Sequence, residues 1–248
     1  MVERSLTRRE ILKGAAAAGL AMAASQVIQS GARAAEEAKA EGAKPIFNGK
    51  DLTGWDGDPR FWSVQEGAIT GITTAETPTK GNTFLVWRAG TTKDFELRLM
   101  FRMQNHNSGV QYRSKTVDND AGKWVMGGYQ ADMDEANTYT GGLYEERGRG
   151  ILARPGQKVT IGPDGKPKAT GAVCDPAAIK AAIKQKDWNE LVIIAQGNHL
   201  VQKLNGMVTV DVTDEDEKRR VMEGLLGLQL HAGPPMKIQF KDICLKVL

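Results

Sequence analysis

Cysteine is scarce. The 248-residue chain has two, Cys174 and Cys244, neither in a C-x-x-C pair nor beside a histidine cluster. That excludes a disulfide-framework scaffold and a zinc-spaced Cys/His module, and leaves one disulfide or two buried thiols as the alternatives. Histidine is limited to His106, His199 and His231, far apart in the chain. No H-E-x-x-H, G-x-S-x-G elbow or Walker sequence is present, so zincin, serine-hydrolase and P-loop chemistry are excluded at the level of motif. The apolar run from Gly14 to Ile28 is about 15 residues and rich in alanine, short of the ~20 that a bilayer span needs. An excess of one charge is missing from the body as well. The net +3 resides in residues 1–34, which hold five basic and two acidic side chains, whereas the remainder carries 28 of each sign. A neutral body gives no electrostatic case for nucleic acid.

Residues 1–34 read as an export leader. Thr7-Arg8-Arg9-Glu10-Ile11-Leu12-Lys13 fits the twin-arginine pattern, the apolar run follows it, and Ala32-Arg33-Ala34 fits an A-x-A cleavage site. The implied partner is the twin-arginine translocation machinery, and the implied location is the periplasm or the exterior of a bacterium, with no membrane span left after cleavage. Residues 35–44 are a polar linker, and 45–248 form one folded domain.

In that domain, short apolar stretches alternate with Gly, Asn, Asp and Pro. Phe95, Leu97, Leu99, Phe101 and Met103 alternate with Glu96, Arg98, Met100 and Arg102, the period of a half-buried strand. Asn205-Gly206 between two short strands predicts a type I′ hairpin turn. Only Pro176–Lys186 looks helical. Some twelve strands and one helix predict an all-β jelly-roll sandwich of two antiparallel sheets.

Strand parity gathers a candidate site. Gln130, Asp132 and Asp134 share one face of their strand; Gly109, Gln111 and Arg113 share another; Gln229 and His231 share a third. In Tyr144-Glu145-Glu146-Arg147, Glu145 and Arg147 alternate with Tyr144 and Glu146. Side by side, such strands would merge carboxylates, amides, an arginine and a histidine at cross-strand distances of about 5 Å. That is the makeup of a sugar-binding sheet face, and equally of a solvated one. Trp124 is the tryptophan expected at its rim. Asp118-Asn119-Asp120 and Asp214-Glu215-Asp216-Glu217 lack the spacing of a known calcium loop and read as turns and solvated acidic runs. No cofactor is expected; calcium or another divalent ion is conceivable without a motif to argue it.

Seven segments, in order, resemble one family. Phe47-Asn48-Gly49-Lys50-Asp51-Leu52-Thr53-Gly54-Trp55 is similar to the opening F-[ND]-G-K-[DS]-L-x-G-W of the DUF1080 family, the 3-keto-disaccharide hydrolase domain. Trp62 to Ile69, Asn107 to Arg113, Thr140 to Tyr144, Trp188-Asn189-Glu190, Leu204-Asn205-Gly206, and Gly227 to His231 with Phe240 to Ile243 resemble its later segments. The resemblance spans Pro45 to Leu248. It implies a concanavalin A-like sandwich acting on glycosides whose C3 hydroxyl has been oxidised to a ketone. The ketone acidifies C2–H; a base takes that proton, the glycosidic oxygen leaves C1, and water adds afterwards. Such an enzyme needs a base, an acid for the leaving oxygen and a donor for the enolate oxygen. On the shared face, Asp132 or Glu145 is the expected base and His231 the proton donor, or the two exchange roles. Arg113, Gln111 and Gln130 are expected to hold the ketone, with Gln229 and Trp124 as further substrate contacts. The chain departs from the family where relatives read Y-E-x-Q and this sequence has Tyr129-Gln130-Ala131-Asp132. The carboxylate moves two positions along one face, about 7 Å. The alternative reading is therefore a carbohydrate-binding sandwich without turnover.

Overall fold

Alternation of apolar and polar side chains builds most of the strands, as in a computed structural model that describes residues 42–117 and 123–248. The leader, and with it the twin-arginine motif, lies outside the described residues, as does the Asp118–Asp120 run. The strands are β1 (Lys44–Pro45), β2 (Trp55–Asp56), β3 (Trp62–Gln65), β4 (Ala68–Thr73), β5 (Thr83–Trp87), β6 (Phe95–Gln104), β7 (Asn107–Thr116), β8 (Met126–Asp134), β9 (Leu143–Glu146) and β10 (Gly150–Ala153). They continue with β11 (Gln157–Ile161), β12 (Pro167–Ala172), β13 (Asn189–Gln196), β14 (His199–Leu204), β15 (Met207–Asp214), β16 (Leu225–Leu230) and β17 (Met236–Val247). The helix α1 (Pro176–Ala182) starts at Asp175, whose carboxylate accepts from the Ala177 amide, with Pro176 at its first position.

Two sheets face each other. The larger runs β12-β11-β15-β14-β13-β6-β17-β4-β3, with β1 on β17; the smaller runs β10-β9-β8-β7-β16-β5-β2. All pairs are antiparallel except β11 with β15, which is parallel. The core lies between the sheets. Phe95, Leu97, Leu99 and Phe101 from the larger sheet meet Val110, Tyr112, Tyr129, Ala131, Leu228 and Leu230 from the smaller, all buried. Burying a side chain of this size contributes about 1.5–3 kcal/mol, so the inward faces of β7, β8 and β16 are fixed by their apolar residues. Their polar residues are thereby turned to the other face. Asn205 (φ 48) and Gly206 (φ 83) make the expected I′ turn between β14 and β15. Five strands escape the sequence pattern, β1, β2, β10, β11 and β12; the first two are only two residues long, and every residue of β12 is exposed, so no apolar face marks it. Cys174 and Cys244, both half-buried, are not joined in a disulfide. Among the described residues, no helix is long and apolar enough to cross a membrane.

Candidate active site on the outer face of the smaller sheet

The outward face of β7, β8, β9 and β16 carries a cavity of about 300 Å³ lined by Asn82, Gln130, Asp132, Tyr144, Glu146, Gln229 and His231, with Tyr139 and Ile151 exposed at its rim. The register explains the gathering. Gly109 pairs with Asp132 and Gln111 with Gln130 across β7 and β8, and Gln130 pairs with Tyr144 across β8 and β9.

A chain of amides aims at Asp132. Ser114 Oγ donates to Gln111 Oε1 at 2.6 Å, Gln111 Nε2 donates to Gln130 Oε1 at 3.1 Å, and Gln130 Nε2 donates to Asp132 Oδ1 at 2.6 Å. The hydroxyl at one end and the carboxylate at the other fix the orientation of both amides. Gly109 makes room for this chain: a Cβ there would stand 2.5 Å from Gln130 Cγ and Cδ. Burial pushes the Asp132 carboxyl up to about 7; the Gln130 hydrogen bond opposes the rise, and the charges of Asp134 and Glu146 add to it. The carboxyl is therefore divided between its acid and base forms near neutral pH.

Glu146 and His231 complete the titrating group. Glu146 is raised by burial, against a hydrogen bond from Asn82 and the charge of Arg147. Asn82 Nδ2 reaches the two Glu146 oxygens at 3.3 and 3.4 Å, while its Oδ1 accepts from the Ala232 amide at 3.0 Å. His231 is lowered by burial; its bond to the Ala232 carbonyl opposes this and His106 reinforces it. His231 Nδ1 lies 2.7 Å from the Ala232 oxygen and His106 Nε2 lies 2.9 Å from the same atom. A carbonyl only accepts, so each of those nitrogens carries its proton, and the neutral His231 keeps its lone pair on Nε2. The two rings meet edge to face at 4.6 Å. Gly233 admits this packing, since a Cβ there would stand 2.3 Å from His106 Nε2. Gln229 is fully buried at the cavity wall, and neither Oε1 nor Nε2 has a hydrogen-bond partner.

Several expected residues stand elsewhere. Glu145 pairs with Tyr129, not with a cavity residue, so it sits on the opposite parity and Tyr144 and Glu146 take the shared face. There Glu145 Oε2 accepts from Arg149 Nε at 2.6 Å, and Arg149 also binds Asp214 Oδ2 at 2.7 Å and Asp216 Oδ2 at 3.4 Å. Asp214 and Asp216 are buried, which corrects the reading of that run as solvated. Burial works to lower the Arg149 pKa, but Asp214 and Glu145 outweigh it and the guanidinium is held firmly charged. Arg113 leaves the outer face at a bulge: its φ is +46° and the β7–β8 register shifts between Tyr112 and Lys115. Its guanidinium binds the Lys93 and Gly197 carbonyls and Asp94, as a fully buried brace between sheets. Trp124 does not line the cavity; its Nε1 donates to Asp56 at 2.8 Å. Asp134 caps its own turn, accepting from the amides of Thr138, Tyr139 and Thr140. Glu146, Tyr144 and Asn82 were missed; the alternation through 144–147 offered Glu146 as readily as Glu145, and only the register decides. A larger cavity of about 830 Å³ adjoins this one at Glu146. Its Glu145 is committed to Arg149 and its Glu223 accepts from Thr91 Oγ1 at 2.7 Å, whereas Asp132 and His231 line the smaller cavity and not the larger. Among the described residues, no group of three or more His, Cys, Asp or Glu side chains is placed to share a metal ion.

The chain is similar in fold to two candidate glycosyl hydrolases from Parabacteroides distasonis ATCC 8503. One is 20% identical, with 86% of this chain and 97% of that chain covered and a TM-score of 0.55. The other is 20% identical, with 83% and 99% covered and a TM-score of 0.53. A Bacillus subtilis protein of unknown function with a galectin-like fold is 12% identical, with 78% and 89% covered and a TM-score of 0.52. No curated protein matches the chain. Residues 42–246 match the model of the family described as the 3-keto-alpha-glucoside-1,2-lyase-like domain, and the chain belongs to that family.

Proposed function

We propose that this protein cleaves 3-keto-glycosides by proton abstraction at C2 and expulsion of the glycosidic oxygen from C1. The observation that carries the proposal is one cavity holding a carboxyl at about 7 and a histidine whose pKa is lowered, beside a buried amide without partners. Family membership supports the substrate class.

The order of the two pKa values assigns the roles. With His231 lowered and Asp132 near 7, a pH window exists in which His231 is neutral and Asp132 is still protonated. His231 Nε2 then takes the C2 proton, and the pair of electrons moves into the C2–C3 bond as the ketone becomes an enolate. The enolate collapses and expels the C1 oxygen, to which Asp132 delivers its proton. The opposite assignment needs an ionised Asp132 with a charged His231, a combination this order of pKa values keeps rare. Glu146 is the second carboxyl of the cavity and holds the water that later adds to C1. Tyr139 and Tyr144 offer ring faces to a sugar. The Arg8-Arg9 leader supports an exported location for this chemistry.

The test is sugar release from 3-keto-disaccharides and from their unoxidised parents, by the wild type and by Asp132→Asn. Release from the keto form alone, lost in the variant, is the expected result. Release from the parents would make the protein an ordinary glycosidase. Binding without release from either would favour the non-catalytic carbohydrate module.

A further inference from the structure

Gln229 is the one cavity residue whose polar atoms are both buried and idle. It sits on β16 beside β7, where its own carbonyl accepts from Ser108 Oγ at 2.8 Å, so the backbone is pinned. One step beyond the Leu228–Val110 pair, the antiparallel register brings Gln229 opposite Gly109, whose other neighbour is Asp132. Gln229 and Asp132 thus flank a position without a side chain, two strand spacings or about 10 Å apart at the backbone, and both reach into the same cavity. Of the other amides there, Gln130 is committed to Asp132 and Gln111, and Asn82 to Glu146 and Ala232, while Asn107 is only half-buried. A buried amide with no partner destabilises a protein that has no use for it.

We infer that Gln229 is the group that reads the α-hydroxyketone of the substrate, Nε2 donating to the C3 carbonyl oxygen and Oε1 accepting from the hydroxyl beside it. This rests on the proposed elimination. An amide presents a donor and an acceptor side by side, which matches a ketone next to a hydroxyl. As the C2 proton leaves for His231, the electron pair settles on the C3 oxygen, and the Nε2–H bond strengthens with it. Gln229 therefore acts on the transition state more than on the bound substrate.

The experiment uses Gln229→Leu and Gln229→Glu in the full chain. For Gln229→Leu we expect kcat on a 3-keto-disaccharide to fall about 10²–10³-fold, the usual effect of removing one oxyanion donor. Its melting temperature should hold or rise, because two unsatisfied buried atoms are gone. Gln229→Glu, once ionised at alkaline pH, keeps acceptors but loses the donor, so calorimetric binding of the keto sugar at that pH should weaken about tenfold more than binding of the unoxidised parent. A kcat within threefold of wild type in Gln229→Leu, or a melting temperature that falls along with activity, overturns the inference. If the wild type turns over no 3-keto-glycoside, the elimination fails, and binding alone decides. A wild-type preference for the keto sugar that Gln229→Leu abolishes supports the reading; no such preference overturns it.

Discussion

Gly109→Ala perturbs the site through a single carbon. The glycine faces Asp132 across β7 and β8, and an added Cβ would stand 2.5 Å from Gln130 Cγ and Cδ and 2.8 Å from its Nε2. Ordinary contact begins near 3.4 Å, so the Gln130 side chain must withdraw by about 1 Å. That breaks its 2.6 Å bond to Asp132 and its 3.1 Å bond from Gln111. A hydrogen bond to a charged group contributes about 1.5–3 kcal/mol, equivalent to about 1–2 pKa units at 1.36 kcal/mol per unit. The lost bond had favoured the ionised carboxylate, so the Asp132 pKa rises from about 7 by roughly that amount. Stability falls as well. The backbone at Gly109 is not in the left-handed region, so alanine recovers ~0.5–1 kcal/mol of glycine's chain entropy. That offsets only a minor part of the hydrogen-bond loss. The assay is a carbon NMR titration of labelled aspartate in wild type and variant, with the alkaline limb of kcat/KM on a 3-keto-disaccharide as its kinetic counterpart. Gln130→Leu should give the same upward shift without a new Cβ. An Asp132 titration unmoved in both variants would refute the amide-chain argument.

Asp132→Asn should stabilise the protein above pH 7 and not at pH 4. A carboxyl raised from 3.8 to about 7 destabilises the fold progressively over that interval and by a constant amount above it. The full shift corresponds to ~4 kcal/mol. Water in the open cavity reduces this to about 1–3 kcal/mol, or about 2–4 °C in Tm for each kcal/mol in a chain of this size; calorimetric melts at the two pH values check it. Arg149→Met leaves Glu145, Asp214 and Asp216 buried without their shared cation. It should lower stability by ~3–5 kcal/mol in urea unfolding. Glu146→Gln and Glu145→Gln separate the two neighbours. The first should reduce kcat with Tm held, whereas the second should reduce Tm first, and equal behaviour in both measurements would contradict their assignment to opposite faces.

The sandwich was legible because its core strands bury one face and wet the other. β6 shows this throughout, its buried residues alternating with half-buried ones. β12 was not legible, since an edge strand exposed on both faces needs no pattern. Within the site, Gln111, Gln130, Asp132, Gln229 and His231 followed from period two, because no irregularity separates them from the buried residues that set their strands' parity. Arg113 did not, because a bulge reverses its direction, and a bulge leaves no mark in a row of alternating residues. Glu145 and Glu146 differ only in register. The turn between β8 and β9 decides that register, placing Glu145 against Tyr129 and Glu146 against Gly128. The acid run from Asp214 to Glu217 looked solvated because its cations, Arg149 and Arg219, come from distant or unpatterned positions.

The central claim is that C2–H breaks before the glycosidic bond, and the most direct measurement is turnover of a 3-keto-disaccharide in deuterium oxide, with the position of the label in the product read by NMR. Elimination followed by addition of water returns a solvent proton to C2. The account therefore predicts deuterium at C2 in the newly formed 3-keto sugar, beyond any exchange of that sugar incubated without enzyme, and none in Asp132→Asn, which releases no product. Sugar released with its original hydrogen at C2 would contradict the account and indicate direct displacement at C1.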